Sequence, residues 1–309
     1  MSGRSDTTGS SSLTAALSRN APQGLVRAAL LHIELTKARL VALVVMTAAV
    51  GFLVAAPPGW SGALLAWTLA GTALAAAGAM ALNQRMEAGL DALMERTRLR
   101  PLPARSLSLG QATRLGVVLS TLGIVVLAVE TNLLTAALGL AIIALYILVY
   151  TPMKRRSTAC TLAGAVCGAL PPMMGWSAAA GTLAFGAWVL AAILFLWQIP
   201  HFLSLAWLYR EDYERGGFRM LPIVDPEGKA TAAMVILYSL ALLPVGLSAT
   251  FSGMAGWSYA FGSVLIGTAF VTMGVQLART RSREAARRVF FASLVYLPLL
   301  LGLMVVDRA

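Results

Sequence analysis

The chain has 309 residues, of which 58% are hydrophobic and 12% charged, with a mean hydropathy of +0.77. That balance excludes a water-soluble globular domain. The formal charge of +11 does not point to nucleic acid, because the basic residues gather at the ends of apolar runs, where they set topology and meet anionic lipid.

Apolar windows of about 18 residues or more, each able to cross about 30 Å of hydrocarbon, recur at 38–56, 61–83, 109–128, 132–150, 159–178, 183–206, 231–251, 257–277 and 289–306. The expectation is an all-α integral membrane protein with nine transmembrane helices. No alternating pattern suggests a barrel. With nine spans, every Lys and Arg of the 24 except Arg308 falls on the side that holds the N-terminus. By the positive-inside rule that side is cytoplasmic, or matrix-facing in a mitochondrion.

In chain order, residues 1–27 are rich in Ser, Thr and Gly and lack an apolar core, so a disordered cytoplasmic tail is expected ahead of one membrane domain over 28–309. Ala28 to Arg39 reads as an amphipathic lead-in with His32, Glu34, Lys37 and Arg39 at the interface. Helix 2 is loaded with small residues that permit close packing. It runs into N-Q-R-M-E-A-G-L-D-A-L-M-E-R-T-R-L-R-P-L-P, from Asn83 to Pro103. Asn83, Glu87 and Asp91 lie four apart, so on a helix each turns about 40° from the last. One face then carries an amide and two carboxylates, the hard oxygen ligands that Mg²⁺ takes when it shares a diphosphate. Arg96, Arg98 and Arg100 follow, and guanidinium forks match phosphate oxygens.

Helices 3 and 4 read as wall. Helix 4 ends at Tyr150, Thr151 and Pro152, followed by Lys154, Arg155 and Arg156, which suit either a stop-transfer cluster or a second cationic contact for diphosphate. Cys160 and Cys167 read as small packing residues beside Gly164 and Gly168. Helix 5 is expected to break at Pro171-Pro172, against a cavity. In helix 6, His201 and Asp212 are eleven apart and about 20° out of phase, so one face presents an imidazole within the membrane and a carboxylate at its mouth. An ionisable group at that depth is a functional candidate by default. Arg210 with Glu214 and Glu211 with Arg215 are expected as helix pairs. Helices 7 to 9 read as plain spans.

Two acidic segments on one side of a bundle, with basic residues around them and a cavity beneath, suit ionisation of an allylic diphosphate. The Asn83–Pro103 stretch, Y-T-P-M-K-R-R-S-T from Tyr150, G-A-L-P-P-M-M-G-W from Gly168, W-Q-I-P-H-F from Trp197 and D-Y-x-x-G-G-x-x-M-L-P from Asp212 together resemble the protohaem IX farnesyltransferase (haem O synthase) family. That family sits in the intramembrane (UbiA-type) prenyltransferase superfamily, and the likeness runs over about 30–305. T-K-A-R at Thr36 to Arg39 is similar to the family's T-K-P-R, with Ala38 in place of proline.

The resemblance implies nine helices around a central cavity, and farnesyl transfer from farnesyl diphosphate to the C2 vinyl group of haem B with water addition, giving haem O. It implies Mg²⁺ as cofactor, held with diphosphate by Asn83, Glu87, Asp91 and Asp212. Arg96, Arg98 and Arg100, with Tyr150, Lys154 and Arg155, are the implied substrate contacts, and His201 would face the haem. The setting would be the inner (plasma) membrane rather than a mitochondrial inner membrane. Haem A synthase or oxidase assembly would lie downstream. Two departures stand out: Cys160 replaces the family's usual Asn, and Tyr209 and Tyr213 stand where a second Asp is expected. A sister enzyme acting on an aromatic quinone precursor, or a transporter or haem carrier, is the alternative. A transporter predicts polar residues near the bilayer midplane, whereas the charges here gather at one face.

Overall fold

Backbone groups in hydrocarbon must be satisfied within their own segment, and the long apolar runs accordingly fold as helices. The computed structural model describes residues 29–308, so the expected tail over 1–27 lies outside the described residues. The long helices are α1 (Ala38–Ala55), α2 (Gly62–Asp91), α3 (Leu109–Glu130), α4 (Leu133–Met153), α5 (Cys160–Ala180), α6 (Phe185–Leu208), α7 (Lys229–Phe251), α8 (Trp257–Thr280) and α9 (Arg283–Val306). Eight of them are long and apolar enough to cross a membrane. The exception, α5, has no charge, but its glycines and prolines dilute its hydropathy. The protein is an all-helical, multi-pass membrane protein.

Glycine sets the closest approaches. A Cβ on Gly78 of α2 would overlap the Gly116 carbonyl and the Ser120 amide of α3, and one on Gly51 of α1 would overlap the Pro172 carbonyl of α5. Small residues thus let backbones touch where lipid supplies no hydrophobic drive. These two contacts position α2 and α5 around the interior.

α2 is the element that matters most for the site. At 30 residues it continues well past the apolar run, through Gln84, Met86, Glu87, Ala88 and Leu90, and stops at Asp91 before a chain of turns that Pro101 and Pro103 keep from resuming as helix. Residues 29–35 form a short helix docked by buried Leu35 against Ala81, Leu102, Leu107 and Ala112.

Two expectations fail here. α5 does not break at Pro171-Pro172 but runs unbroken over 21 residues. Both prolines are buried among neighbours, and such surroundings compensate the missing donors. The face shared by His201 and Asp212 also does not exist. α6 ends at Leu208, Tyr209 leaves helical geometry at φ −116° and ψ 26°, and Asp212 sits on a separate short helix, Arg210–Arg215.

Candidate active site

On α2 the row Asn83, Glu87 and Asp91 faces inward, with 0%, 5% and 1% of their surfaces exposed. A buried carboxylate needs a countercharge, and each acid has a cation from another part of the chain. Lys154 Nζ, just after α4, donates to Glu87 Oε1 at 2.7 Å. Arg100, from the turns after α2, donates through Nη1 to Asp91 Oδ2 at 2.8 Å. Lys37 Nζ donates to Asn83 Oδ1 at 2.8 Å, and Asn83 Nδ2 in turn donates to Thr151 Oγ1 at 3.0 Å.

Lys37 was expected at the interface, and its position is a correction. The residue takes a left-handed turn at φ 51° between the 29–35 helix and α1. Gln84 clamps that turn by donating to the carbonyls of Glu34 (3.1 Å) and Leu35 (2.7 Å). Burial, and then the Arg100 charge, pulls the Lys37 ammonium down to about 7. Lys154 goes the other way: burial opposes its charge, but the Glu87 carboxylate outweighs burial and raises it above its ordinary value. Lys154 also lies 4.6 Å from the centre of the Tyr150 ring.

The second acidic segment meets the first through the backbone. Asp212 accepts from the amides of Glu95 (3.0 Å, Oδ1) and Arg96 (3.4 Å, Oδ2), and Arg215 donates to it at 2.5 Å. Burial works against its charge, yet Arg215 and those two amides hold the carboxyl below its usual range. The expected pairs Arg210–Glu214 and Glu211–Arg215 give way to Arg215–Asp212. Asp91 pairs with Arg100, while Arg98 turns outward to Glu95 at 3.1 Å. Arg155 is exposed and stands apart from the buried row.

Below the row is a cavity of about 200 Å³, bounded by Met80, Tyr146, Tyr150, Gly168, Gln198 and His201 among others. Its lining is contributed by α1, α2, α4, α5, α6 and α9. His201 stacks with the Trp197 ring (5.0 Å) and the Phe290 ring (5.1 Å), with Nδ1 2.8 Å from Ser293 Oγ. The arrangement is a polar mouth of acids and cations over an apolar hollow, with one imidazole on the wall.

A matching family model, the UbiA prenyltransferase family, covers residues 44–295. The chain belongs to this family. Its relatives include the protohaem IX farnesyltransferase of Solibacter usitatus, 46% identical over 286 residues covering 90% of this chain and 98% of that one. That of Salinibacter ruber is 42% identical over 276 residues, covering 89% and 98%. Solved structures share the fold: a digeranylgeranylglyceryl phosphate synthase superposes with a TM-score of 0.76 at 15% identity, covering 90% of this chain and 97% of that one. A UbiA homologue from Archaeoglobus fulgidus, bound to GPP and Mg²⁺, gives 0.63 at 16% identity, covering 89% and 99%.

An amide oxygen and two carboxylates on one helix face are of the donor chemistry that suits Mg²⁺ shared with a diphosphate. The chain has no all-protein cage, since no three His, Cys, Asp or Glu converge among the described residues. The two tyrosines at the second motif carry a cation instead: Arg96 stacks over Tyr209 at 5.0 Å and Tyr213 at 5.8 Å. Cys160 is buried with Met94, Ala206, Phe218 and Met220, its Sγ 3.6 Å from Met220 Sδ. Sequence reasoning missed Lys37, Thr151 and Ser293. T-K-A-R was a visible signal for Lys37 and Y-T-P-M-K-R-R for Thr151; a lone Ser in an apolar helix offered none.

Proposed function

We propose that the protein transfers the farnesyl group of farnesyl diphosphate to the C2 vinyl group of haem B, with addition of water, to give haem O and diphosphate. The observation that carries this reading is the buried row Asn83, Glu87 and Asp91, set with Lys37, Lys154 and Arg100 at the mouth of an apolar cavity. The relatives named protohaem IX farnesyltransferase, which match nearly the whole of both chains, support haem as the acceptor.

In the reaction the bond between farnesyl C1 and the diphosphate oxygen breaks, and its electron pair leaves with diphosphate. The vinyl carbon bonds to farnesyl C1, water adds to the resulting cation as hydroxyl, and its proton is released. Lys37, Lys154 and Arg100 bind the leaving diphosphate, with Arg96 at the mouth, and Arg98 and Arg155 act from the exposed rim. Asn83, Glu87 and Asp91, with Asp212 assisting from the facing loop, would hold Mg²⁺, which when bound neutralises the diphosphate charge. Asp212 also keeps the loop after α2 closed against the segment after α6. Tyr150 and the apolar lining keep stray water from the cation, and His201 faces the haem. Ligand pockets usually span about 300–1,000 Å³, so admitting the tail requires the helices around this narrower cavity to part.

The reading places nine helices across a bacterial plasma membrane, with the N-terminus and the site on the cytoplasmic side, and treats 28–309 as one domain. The product then passes to haem A synthase or oxidase assembly. Membranes containing the protein, given haem B, farnesyl diphosphate and Mg²⁺, should yield a pigment whose mass has grown by one farnesyl group plus one hydroxyl. Conversion of 4-hydroxybenzoate instead of haem B would move the assignment to a sister prenyltransferase, and absence of diphosphate release would remove it.

A further inference from the structure

Ser293, fully buried on α9, makes two contacts that one hydroxyl hydrogen cannot both supply. Its Oγ lies 2.6 Å from the Phe290 carbonyl oxygen and 2.8 Å from His201 Nδ1. A carbonyl oxygen can only accept, so the serine hydrogen goes to Phe290. The serine oxygen then accepts, and the hydrogen between Ser293 and His201 must sit on Nδ1. A neutral imidazole carries one ring hydrogen, so Nε2 is left with a lone pair. Among the described residues Nε2 has no hydrogen-bond partner.

The ring is over-determined for a packing residue. The Trp197 and Phe290 rings both stack on it, tilted from it by 20° and 28°. The Trp197 indole also donates to the Ser293 carbonyl at 2.8 Å, so α6 and α9 are tied together at the level of the ring. A satisfied core histidine pairs both ring nitrogens, one as donor and one as acceptor. This one is held by two stacked rings and a tautomer lock, with a basic nitrogen left unpaired in a residue that lines the cavity.

We propose that Ser293 is a positioning residue that holds His201 in the tautomer with Nε2 unprotonated, so that Nε2 meets the iron of the metalloporphyrin substrate in the cavity. The inference rests on the haem reading of the cavity. It adds which nitrogen is used and which residue selects it. Hydrogen-bonding partners of metal-binding histidines fix tautomer and orientation in this way, and losing one typically costs about 10–100-fold in metal affinity.

The test uses the full chain in detergent, with ¹⁵N-labelled histidine and haem B as the probe. In the haem-free wild type, Nδ1 should resonate as protonated and Nε2 as unprotonated. Ser293→Ala should mix the tautomers, weaken haem B binding by about tenfold or more and shift the haem absorption band, with farnesyl diphosphate binding unchanged as the control for folding. Ser293→Thr, which keeps the hydroxyl, should restore tautomer and affinity. A protonated Nε2 in the wild type would overturn the proposal, as would Ser293→Ala binding haem B with wild-type affinity and spectrum. Equal loss of farnesyl diphosphate binding in Ser293→Ala would reduce the role to packing and overturn it too. An unchanged haem spectrum in His201→Ala would remove the iron contact. Failure of the functional reading looks different: wild-type membranes would make no haem O while haem binding still depended on Ser293.

Discussion

Asp91 and Arg100 show what a single residue contributes here. The carboxylate is almost fully buried and the guanidinium partly exposed, so removing the acid strands a cation at the edge of a low-dielectric interior. Breaking such a pair costs about 3–5 kcal/mol. Asp91→Ala should abolish haem O formation while the protein still reaches the membrane, measured by pigment mass and by immunoblot of washed membranes. Lys37 tests a different point. Lys37→Met keeps the stem and removes the charge, and should raise the KM for farnesyl diphosphate about tenfold, or about 1.4 kcal/mol, with the KM for haem B unmoved. Unchanged diphosphate kinetics would return Lys37 to a purely structural part in the 29–37 turn.

At the scale of elements, α2 works because it is one uninterrupted rod from the bilayer interior to the mouth. Its placement depends on α3, where Gly78 meets Gly116 and Ser120 backbone to backbone. Gly78→Val must push these helices apart, and overpacking of this kind costs about 1–3 kcal/mol. A lower melting temperature in detergent should accompany a loss of activity. The segments after α2 and α6 are joined through Asp212, and the sign of its pH dependence follows from its depressed pKa. Stability from this carboxylate is present above its ordinary value of 3.8 and is lost as pH falls through the lower folded-state value. Asp212→Asn should therefore make residues 92–107 more sensitive to protease at neutral pH, whereas the wild type should become so only in acid.

For the whole molecule, the division between an oily body and a charged rim decides where chemistry happens. The proposed reaction puts diphosphate and metal at the mouth, and the isoprenoid and porphyrin in the hollow. Chelation of Mg²⁺ in membranes should stop turnover with haem B still bound, read from the haem spectrum before and after metal is restored. Loss of the bound haem on chelation would mean that metal and porphyrin share one site, contrary to the separation drawn here.

The amino-acid order alone determined the long apolar helices and the in-phase row Asn83, Glu87 and Asp91, because helix length and a period of 3.6 residues are local properties of the backbone. Lys37 escaped that reading. Its partner Asn83 is 46 residues away, Glu87 and Lys154 are 67 apart, and Asp212 reaches an amide 117 residues away. Such meetings depend on which helices lie side by side, which small-residue contacts such as Gly78 on Gly116 and Gly51 on Pro172 decide. The same cause defeated the expected break at Pro171-Pro172 and the shared face of His201 and Asp212: neighbours kept α5 continuous, and one non-helical residue, Tyr209, ended α6 before its phase could reach the acid.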